Sequence, residues 1–388
     1  LHAKAMEVLD ASAADEDPMV RGMALRKLIE LRPSPDWAAW GQRATWDPEE
    51  WVQRQGVEAI AGHLPDSESV NQLRGVLERA NVSPFVRCRA AMHLVQASSL
   101  GGEFHRSLLA SVQEAAASTR QPQNRSPCWV VGAVLGDADM ATRLAAMLAD
   151  GEVPLDLMFV DDLGRSDLSD MVESIESGME WFEEPMEIPM ASVLFRLGSD
   201  LGEARMTTAF RDPMVEPGLE ALDLLANVRT ERTTRLIEVA SRSTVEEVQL
   251  YARLILTSRG KGKWQWLDEA AQSNDRETRL WAAQFVGDAA EATWDLEELQ
   301  ADLSSNRGED WQVANAVVDR LLGDSEWLVV AEAASSAMRM GVLSRERANK
   351  LEVLLLAEDA EVRVAIAAVL LNGSAPKTLT TPVEEETI

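Results

Sequence analysis

Carboxylates and aromatic rings are concentrated in residues 151–190, which hold twelve Asp or Glu residues and one basic residue. The residues that could act together are Asp161, Asp162, Trp181, Phe182, Glu183 and Glu184. Carboxylates steer a basic segment towards a surface, and rings supply apolar area to bury. The stretch is therefore either a solvated helix face with a loop or an acidic and aromatic groove for a basic partner segment. It lacks the Asp-x-Asp-x-Asp-Gly spacing of a calcium loop, so a metal site is not favoured.

Arginines dominate a second stretch, residues 71–125, which has seven Arg and three Glu in an otherwise acidic chain. Arg87 and Arg89 share a helix there and could form a basic patch on an inner surface. Guanidinium groups bind carboxylates and phosphates with two parallel hydrogen bonds. The patch would then bind an acidic peptide or a phosphate. The alternative is that these arginines neutralise neighbouring acidic repeats.

Patterns of known catalysis or cofactor binding are missing from the sequence. There is no His-Glu-x-x-His, no Gly-x-Ser-x-Gly and no phosphate-binding loop, since the Gly/Lys turn at 259–263 has the wrong order. The two cysteines, Cys88 and Cys128, are too few for a disulfide framework or a zinc site. We therefore expect no catalytic residue, no cofactor and no metal, and a reducing, cytoplasmic compartment.

Net charge narrows the choice of partners. The formal charge is −28 and the pI about 4.5. Such a charge repels nucleic-acid phosphates and anionic membranes at long range. No apolar run approaches the roughly 20 residues of a membrane span. We expect a protein or peptide partner, with nucleic acid and membrane disfavoured; a targeting segment ahead of Leu1 stays an open question.

A recurring helical unit must position these residues. Asp17 can cap a helix that starts at Pro18, and Val20, Ala24 and Leu28 then recur at i, i+4 and i+8 to form one apolar stripe. Fuller copies of this unit start at Ser83, Asp275 and Asp359, and looser copies start at Asp47, Ser126, Asp212 and Thr244. A second helix lies in most intervals, for example at 67–80, 103–117, 230–241, 264–272, 292–303 and 344–358. Paired helices repeating every 30 to 40 residues are typical of a solenoid.

The Asp-x-x-Val-Arg-x-x-Ala pattern of residues 17–24, with partial copies at 83–90, 275–282 and 359–366, resembles the HEAT-repeat family, including its short bacterial forms. The resemblance implies an all-α fold, an α-solenoid of stacked antiparallel helix pairs. It also implies that the capping residues and arginines form a structural ladder: Asp17, Arg21, Arg87, Asp275, Arg279, Asp359 and Arg363. We expect breaks at Asp212, followed by Glu216, and at Asp47, which lies seven residues before Arg54.

The repeat predicts one elongated body over residues 1–371, with an irregular acidic segment at about 136–187 where the spacing fails. Residues 372–388 form a polar tail that we expect to be disordered. Tryptophans mark many helices. Trp37, Trp40, Trp46 and Trp51 either fill gaps between layers or anchor a partner, whereas Trp264, Trp266, Trp281, Trp294, Trp311 and Trp327 are predicted to lie in the core.

Two functions follow from the resemblance. The favoured one is a non-catalytic scaffold or adaptor that holds a partner protein or peptide on its concave surface. The predicted partner-binding residues are Asp161, Asp162, Trp181, Phe182, Glu183, Glu184, Arg87 and Arg89. The alternative is a HEAT-like enzyme such as a DNA glycosylase or a bilin lyase, for which a basic concave track would be needed.

Overall fold

The chain is all-α. A computed structural model describes residues 2–31, 36–79, 81–96, 102–119, 125–151, 157–182, 185–294, 308–342 and 345–372, and none of these residues lies in a β-strand. Of the residues and segments that the sequence singles out, Glu183, Glu184, most of the 292–303 helix and the tail from 373 onwards lie outside the described residues.

The described residues form 22 α-helices, numbered here in chain order. They are α1 His2–Ser12, α2 Pro18–Glu30, α3 Trp37–Thr45, α4 Glu50–Ala61, α5 Ser67–Leu77, α6 Pro84–Gln96, α7 Gly102–Ser118, α8 Ser126–Val134, α9 Ala138–Ala149, α10 Leu157–Leu163, α11 Val172–Gly178, α12 Glu187–Arg196, α13 Asp200–Ala209, α14 Val215–Ala226, α15 Glu231–Ala240, α16 Glu246–Ser258, α17 Trp264–Ala271, α18 Arg276–Thr293, α19 Glu309–Leu321, α20 Trp327–Arg339, α21 Arg345–Leu354 and α22 Ala360–Asn372. A short 3-10 helix, Ser166–Met171, precedes α11.

The helices are arranged in two layers. Each even-numbered helix contacts the next even-numbered helix, from α2 through to α22, and these helices form the even layer. Each odd-numbered helix packs against one or both of the even helices that flank it in sequence, so the odd helices form a second layer. Contacts between odd helices are fewer. This pattern indicates that the even helices are drawn closer together than the odd ones.

The first and last described helices are in contact. Helix α22 packs against both α1 and α2, and Lys4 of α1 forms an ion pair with Glu352 of α21. The succession of even-helix contacts therefore returns to its start. The predicted elongated body did not include this contact. Helix periodicity identifies the buried face of each helix, but it does not show which distant helix packs against the first or the last one.

The repeat starts have the predicted local chemistry. The Asp17 carboxylate accepts a hydrogen bond from the Met19 N–H at 2.8 Å, and Asp275 accepts one from Thr278 N–H at 2.7 Å. These bonds satisfy N–H groups that a helix start leaves free. Val20, Ala24 and Leu28 are buried against the rest of the core, as the stripe predicts.

The arginines at these starts link successive repeats. Arg21 donates to both carboxylate oxygens of Asp47, at 2.7 and 3.0 Å, and to the Asp15 carbonyl at 2.7 Å. Arg279 repeats the arrangement with Asp324, at 2.6 and 3.2 Å, and with the carbonyl six residues before it. The ladder is thus formed by an arginine of one repeat and the turn aspartate of the next.

The predicted break at Asp47 is wrong. Asp47 accepts from Arg21, and helix α4 begins three residues later, at Glu50. In this repeat the side chain that donates back to the turn is Gln53, whose amide nitrogen donates to the Asp47 carbonyl at 2.7 Å. Gln249 makes the same contact six residues back, at 3.0 Å. Glutamine therefore makes the turn-carbonyl contact of arginine in these two repeats. It uses one nitrogen donor, whereas Arg21 and Arg279 each use three.

Arg87 does not join the ladder. Its side chain is buried, and its Nε donates to the Leu77 carbonyl at the end of α5, at 2.9 Å. The segment predicted to be irregular contains α9, α10, α11 and the 3-10 helix. Helices α10 and α11 have seven residues each. The extra length between the starts at 126 and 187 thus contains further helices.

The even layer has two edges, each made by one kind of turn. The N-edge is where even helices begin, at the turns that join odd to even helices. The C-edge is where even helices end, at the turns that join even to odd helices. Arg21 with Asp47 joins the starts of successive even helices, and Arg259 with the Leu225 carbonyl joins the ends of α16 and α14, so turns of one kind lie together at these places.

Candidate interaction surface

The predicted acidic and basic patches meet in the structure. Arg89 Nη1 donates to the Asp162 carboxylate at 2.8 Å, and its Nε donates to Glu58 at 2.7 Å. His93 Nε2 lies 3.0 Å from the other oxygen of Glu58. We call Glu58, Arg89, His93 and Asp162 the Arg89 cluster. It joins α4, α6 and α10, three helices of the even layer.

Ionisation in the Arg89 cluster follows from its contacts. Burial disfavours the Glu58 carboxylate, but hydrogen bonds from His93 and Arg89 outweigh burial and lower the pKa of Glu58 to about 2. Asp162 differs, because burial raises its pKa more than Arg89 lowers it. Arg89 itself has a raised pKa, because its two carboxylates outweigh the cost of burial. The cluster therefore holds a charged arginine between acidic side chains.

The paired charges of the Arg89 cluster are better suited to holding the three helices together than to binding a partner. The Arg89 and Asp162 side chains are about one-tenth exposed or less, and each already has an ionic partner. Asp161, which is exposed, forms an ion pair with Arg196 of α12. Arg87 is buried, and its Nη2 lies 4.0 Å from the carboxylate of the exposed Glu114. Of the predicted charged residues within the described part of the chain, Asp161 is the one that solvent reaches freely.

The predicted aromatic pair divides between core and surface. Phe182 is buried, whereas the Trp181 side chain is 66% exposed and follows α11 at the N-edge. Glu183 and Glu184, which would complete the groove, lie outside the described residues. Trp181 is thus the predicted aromatic anchor that a partner could contact directly.

Exposed large apolar side chains share one location. Among the described residues they all lie in, or within two residues of, a turn from an odd to an even helix: Met19, Trp46, Trp51, Trp181, Met214, Val239, Val353 and Leu356. Trp46, Trp181 and Met214 are 63 to 66% exposed. A single exposed apolar residue is ordinary, but confinement of all eight to the N-edge marks a surface suited to a protein partner.

Carboxylates surround these apolar side chains. The turns from odd to even helices contain Asp15, Glu16, Asp17, Asp47, Glu49, Asp212, Asp324, Glu326, Glu358 and Asp359. Several of them cap even helices, and the positive end of the helix dipole stabilises negative charge there. The N-edge therefore combines negative charge with exposed apolar area.

Grooves open on the same edge. One of about 320 Å³ lies between α12, α13 and α14 and is lined by Glu187, Arg205, Asp212, Met214 and Glu216, among others. Another, of about 450 Å³, lies between α1 and the α21–α22 turn, and its lining includes Leu356. Both grooves bring carboxylates and apolar side chains together, which suits lysine or arginine side chains with apolar neighbours.

The C-edge is constructed differently. Its helix ends are capped by donors from the next repeat: His63 Nε2 lies 2.5 Å from the Ile29 carbonyl, and Arg232 donates to the Phe195 carbonyl at 3.0 Å. Arg259 donates to three carbonyls at the end of α14, at 2.8 to 3.1 Å. Gly198 and Gly260, with φ of +97° and +71°, let the chain turn directly into the next helix. These helix-end carbonyls are occupied by donors of the protein itself.

Sequence reasoning missed the N-edge as a unit. Trp46 and Trp181 were considered as anchors, but Met19, Met214 and Leu356 were not. The sequence did contain a signal for these exposed residues. They lie beside the Asp-Pro or Asp-x-x-Val motifs that start the repeats, at positions outside the buried i, i+4 stripe. Trp37 and Trp40 pack partly buried against the core. Of the six tryptophans predicted to lie in the core, Trp264, Trp281 and Trp311 are buried, whereas Trp266, Trp294 and Trp327 are partly buried against it.

Membrane spans and metal sites are both missing from the described part of the chain. No helix there is long and apolar enough to cross a membrane. No group of three or more His, Cys, Asp or Glu side chains is placed to hold a metal ion within those ranges.

Comparison with known proteins gives no family. No family model matches the chain, and no curated protein matches it. Among solved structures, an engineered protein is similar with 15% identity over 96% of this chain and 99% of its own, at a TM-score of 0.24. A structure described as concerning a phosphorylation switch in the interaction of cadherin with β-catenin has 15% identity over 95% of this chain and 94% of its own, also at 0.24. Scores this low support no inference about fold or function.

Proposed function

We propose that this chain is a non-catalytic protein-binding scaffold or adaptor of the HEAT-like kind, in which the 22 helices of the described residues stack in pairs as a solenoid that closes on itself. Support for the solenoid comes from the alternation of even and odd layers and from the ladder that links Arg21 to Asp47 and Arg279 to Asp324. Support for closure comes from the packing of α22 against α1 and α2.

The observation that carries the proposal is the confinement of all eight exposed large apolar side chains of the described residues to the N-edge. A scaffold needs accessible apolar area for affinity and charge for orientation and encounter rate. The N-edge has both. The even layer, which would line the concave side, has many of its charged groups paired internally, as in the Arg89 cluster, so we favour the N-edge over the concave surface as the binding site.

The partner's chemistry follows from this surface. Carboxylates at the N-edge and a net charge of −28 favour a protein or peptide with lysine or arginine beside apolar residues. They disfavour nucleic acid and anionic membranes. We also propose the cytoplasm as the compartment, on the ground that the two cysteines are free thiols.

The test is partner capture from a lysate of the source organism, with variants at the two edges. An N-edge double variant, Trp46→Ser with Met214→Ser, should lose the captured partner, and capture by the wild type should weaken as salt rises. A C-edge double variant, Lys261→Glu with Lys263→Glu, should retain it. Photo-cross-linking residues placed at position 214 and at position 261 should give an adduct with that partner only from position 214.

Two results would reject the N-edge. One is equal capture by the wild type and the N-edge variant, with both proteins folded to the same thermal midpoint. The other is loss of capture in the C-edge variant alone, which would move the binding site to the opposite edge.

A further inference from the structure

The two cysteines of the chain meet inside the protein. Cys88 lies on α6 and Cys128 on α8, 40 residues apart, and their Sγ atoms are 2.7 Å from each other. Both side chains are fully buried, and both are free thiols. They are the two cysteines in the sequence of 388 residues, and they are in contact with each other.

This placement favours covalent pairing. Non-bonded heavy atoms pack best at about 3.5 Å or more, and a disulfide bond is about 2.05 Å long. The two sulfur atoms therefore need a movement of less than about 1 Å to reach bonding distance, which side-chain rotation can supply. Helices α6 and α8 are neighbours in the even layer, so the backbone already holds the two Cβ atoms on facing sides.

We propose that Cys88 and Cys128 are a redox pair that forms a reversible intramolecular disulfide, stapling α6 to α8. The oxidant is a low-molecular-weight disulfide such as oxidised glutathione. One cysteine thiolate attacks a sulfur of that disulfide, which forms a mixed disulfide and releases one small thiolate. The second cysteine thiolate then attacks the protein sulfur of the mixed disulfide and releases the other. Two small thiols leave with the two protons that the cysteines lost.

Burial sets the rate of this exchange. The thiolate is the reacting species, and it must meet an oxidant that cannot enter a packed core. Burial, followed by the contact with Cys128, raises the pKa of the Cys88 thiol well above its usual range. Oxidation therefore requires transient separation of α6 from α8, and the pair responds to sustained oxidising conditions rather than to brief ones.

The staple acts next to the Arg89 cluster. Arg89 follows Cys88 by one residue and joins α6 to α4 and α10. A bond between α6 and α8 closes a loop of about 40 residues, which removes conformational freedom from the unfolded chain. Oxidation should thus stabilise the fold around the cluster without a change in any surface residue.

The test uses the full wild-type chain, reduced and then incubated with excess oxidised glutathione. After denaturation and alkylation, intact mass should show loss of both thiols without a glutathione adduct, and non-reducing peptide mapping should recover one peptide pair joined through Cys88 and Cys128. Treatment with dithiothreitol should restore both thiols. The thermal midpoint of the oxidised protein should rise by a few degrees over that of the same reduced sample.

Contrary results are distinct. Two alkylated thiols after prolonged oxidation, even at a temperature just below the unfolding transition, would overturn the proposal. So would a product in which each cysteine carries glutathione, or a disulfide-linked dimer on a non-reducing gel. Cys128→Ala is the matched control: it should form no intramolecular link, and its thermal midpoint should not rise with oxidant.

Discussion

The two edges of the even layer are the two ends of the same helices, yet they differ in which groups remain available. At the C-edge, arginine and histidine side chains from one repeat cap the carbonyls of another, as Arg232 and His63 do. At the N-edge, the helix caps are local, pairs such as Arg21 with Asp47 join successive repeats, and apolar side chains such as Trp46 and Met214 stay exposed. The comparison indicates that both edges stabilise the stack, whereas the N-edge alone exposes large apolar side chains among the described residues.

Helix polarity explains part of this difference. Free N–H groups at helix starts favour Asp and Glu, and free carbonyls at helix ends favour Arg, Lys and His. A layer of parallel even helices therefore collects negative charge along one edge and cationic donors along the other. The rule does not cover the side-chain ion pairs between even helices: Glu58 and Asp162 are acidic residues in the last turn of their helices, where Arg89 pairs with both.

The largest stability effect is expected at the C-edge from Arg259→Ala. One Nη atom of Arg259 donates to the carbonyls of Leu225, Ala226 and Val228, and the other donates to Thr234. Removing it takes a charged donor from these partly buried acceptors at once, which should destabilise the protein by about 2 to 4 kcal/mol. Urea unfolding followed by circular dichroism measures this loss.

Arg229→Ala is the matched control for that change. Arg229 is exposed; burial lowers the pKa of Arg259 most, and the like charge of Arg229 lowers it further. Its removal should leave stability unchanged or slightly raised. Equal destabilisation by the two substitutions would show that Arg259 acts through charge alone and not through its carbonyl contacts.

A second prediction concerns pH and the C-edge end of α4. The folded-state pKa of Glu58 is about 2, below its ordinary value of 4.5, so its contribution is present above about pH 5 and is lost as pH falls towards 2. Allowing for partial solvent screening, that contribution is about 1 to 3 kcal/mol. Glu58→Gln should lower the thermal midpoint at pH 7, and the gap from the wild type should close by pH 2 to 3. A gap that stays constant across this range would assign the effect to packing.

How far the sequence predicts this protein depends on whether a feature is local. The stripe of Val20, Ala24 and Leu28 and the caps at Asp17 and Asp275 were predicted correctly, because both depend on residues within two helical turns. The pairing of Arg89 with Asp162 was not predicted, although both residues were singled out, because 73 residues separate them. Contact between α1 and α22 was missed for the same reason.

Sequence analysis also failed where two residue types can make the same hydrogen bond. Gln53 and Gln249 keep the carbonyl contact of Arg21 and Arg279, but only the arginines add an ion pair. The pattern of Asp followed by Arg therefore predicted a break at Asp47, although Asp47 forms an ion pair with Arg21 of the preceding repeat. The exposed residues of the N-edge were hard to find because apolar patterning identifies the buried stripe, not the turns beside it.

A third prediction compares two rungs of the N-edge ladder. Arg21→Ala and Arg279→Ala each remove a two-point ion pair whose carboxylate is less than a tenth exposed, along with carbonyl contacts. Each should cost about 1 to 2 kcal/mol in urea unfolding. Arg276→Ala, at the same edge but more than half exposed, should cost less than about 0.5 kcal/mol. A loss at Arg276 as large as that at Arg279 would mean that position in the ladder does not matter.

The smallest stability effect is expected from Trp46→Ala, which can be compared with Trp37→Ala at the opposite end of the same helix. Trp37 begins α3 at the C-edge, and its ring stacks on His63 at 4.3 Å between centroids. Trp46 follows α3 at the N-edge, is 63% exposed and has the Arg79 guanidinium over its ring at 4.6 Å. Loss of Trp37 should cost about 1 to 3 kcal/mol, and loss of Trp46 about 0.5 kcal/mol.

Partner capture should rank the same two variants in the opposite order. Trp46→Ala should retain nearly full stability and bind the partner several-fold more weakly, since an exposed ring contributes to an interface and little to the core. Trp37→Ala should bind as the wild type does at temperatures where it remains folded. If Trp46→Ala captured the partner unchanged while Trp37→Ala did not, the C-edge would be the binding edge, and the exposed apolar residues of the N-edge would need another explanation.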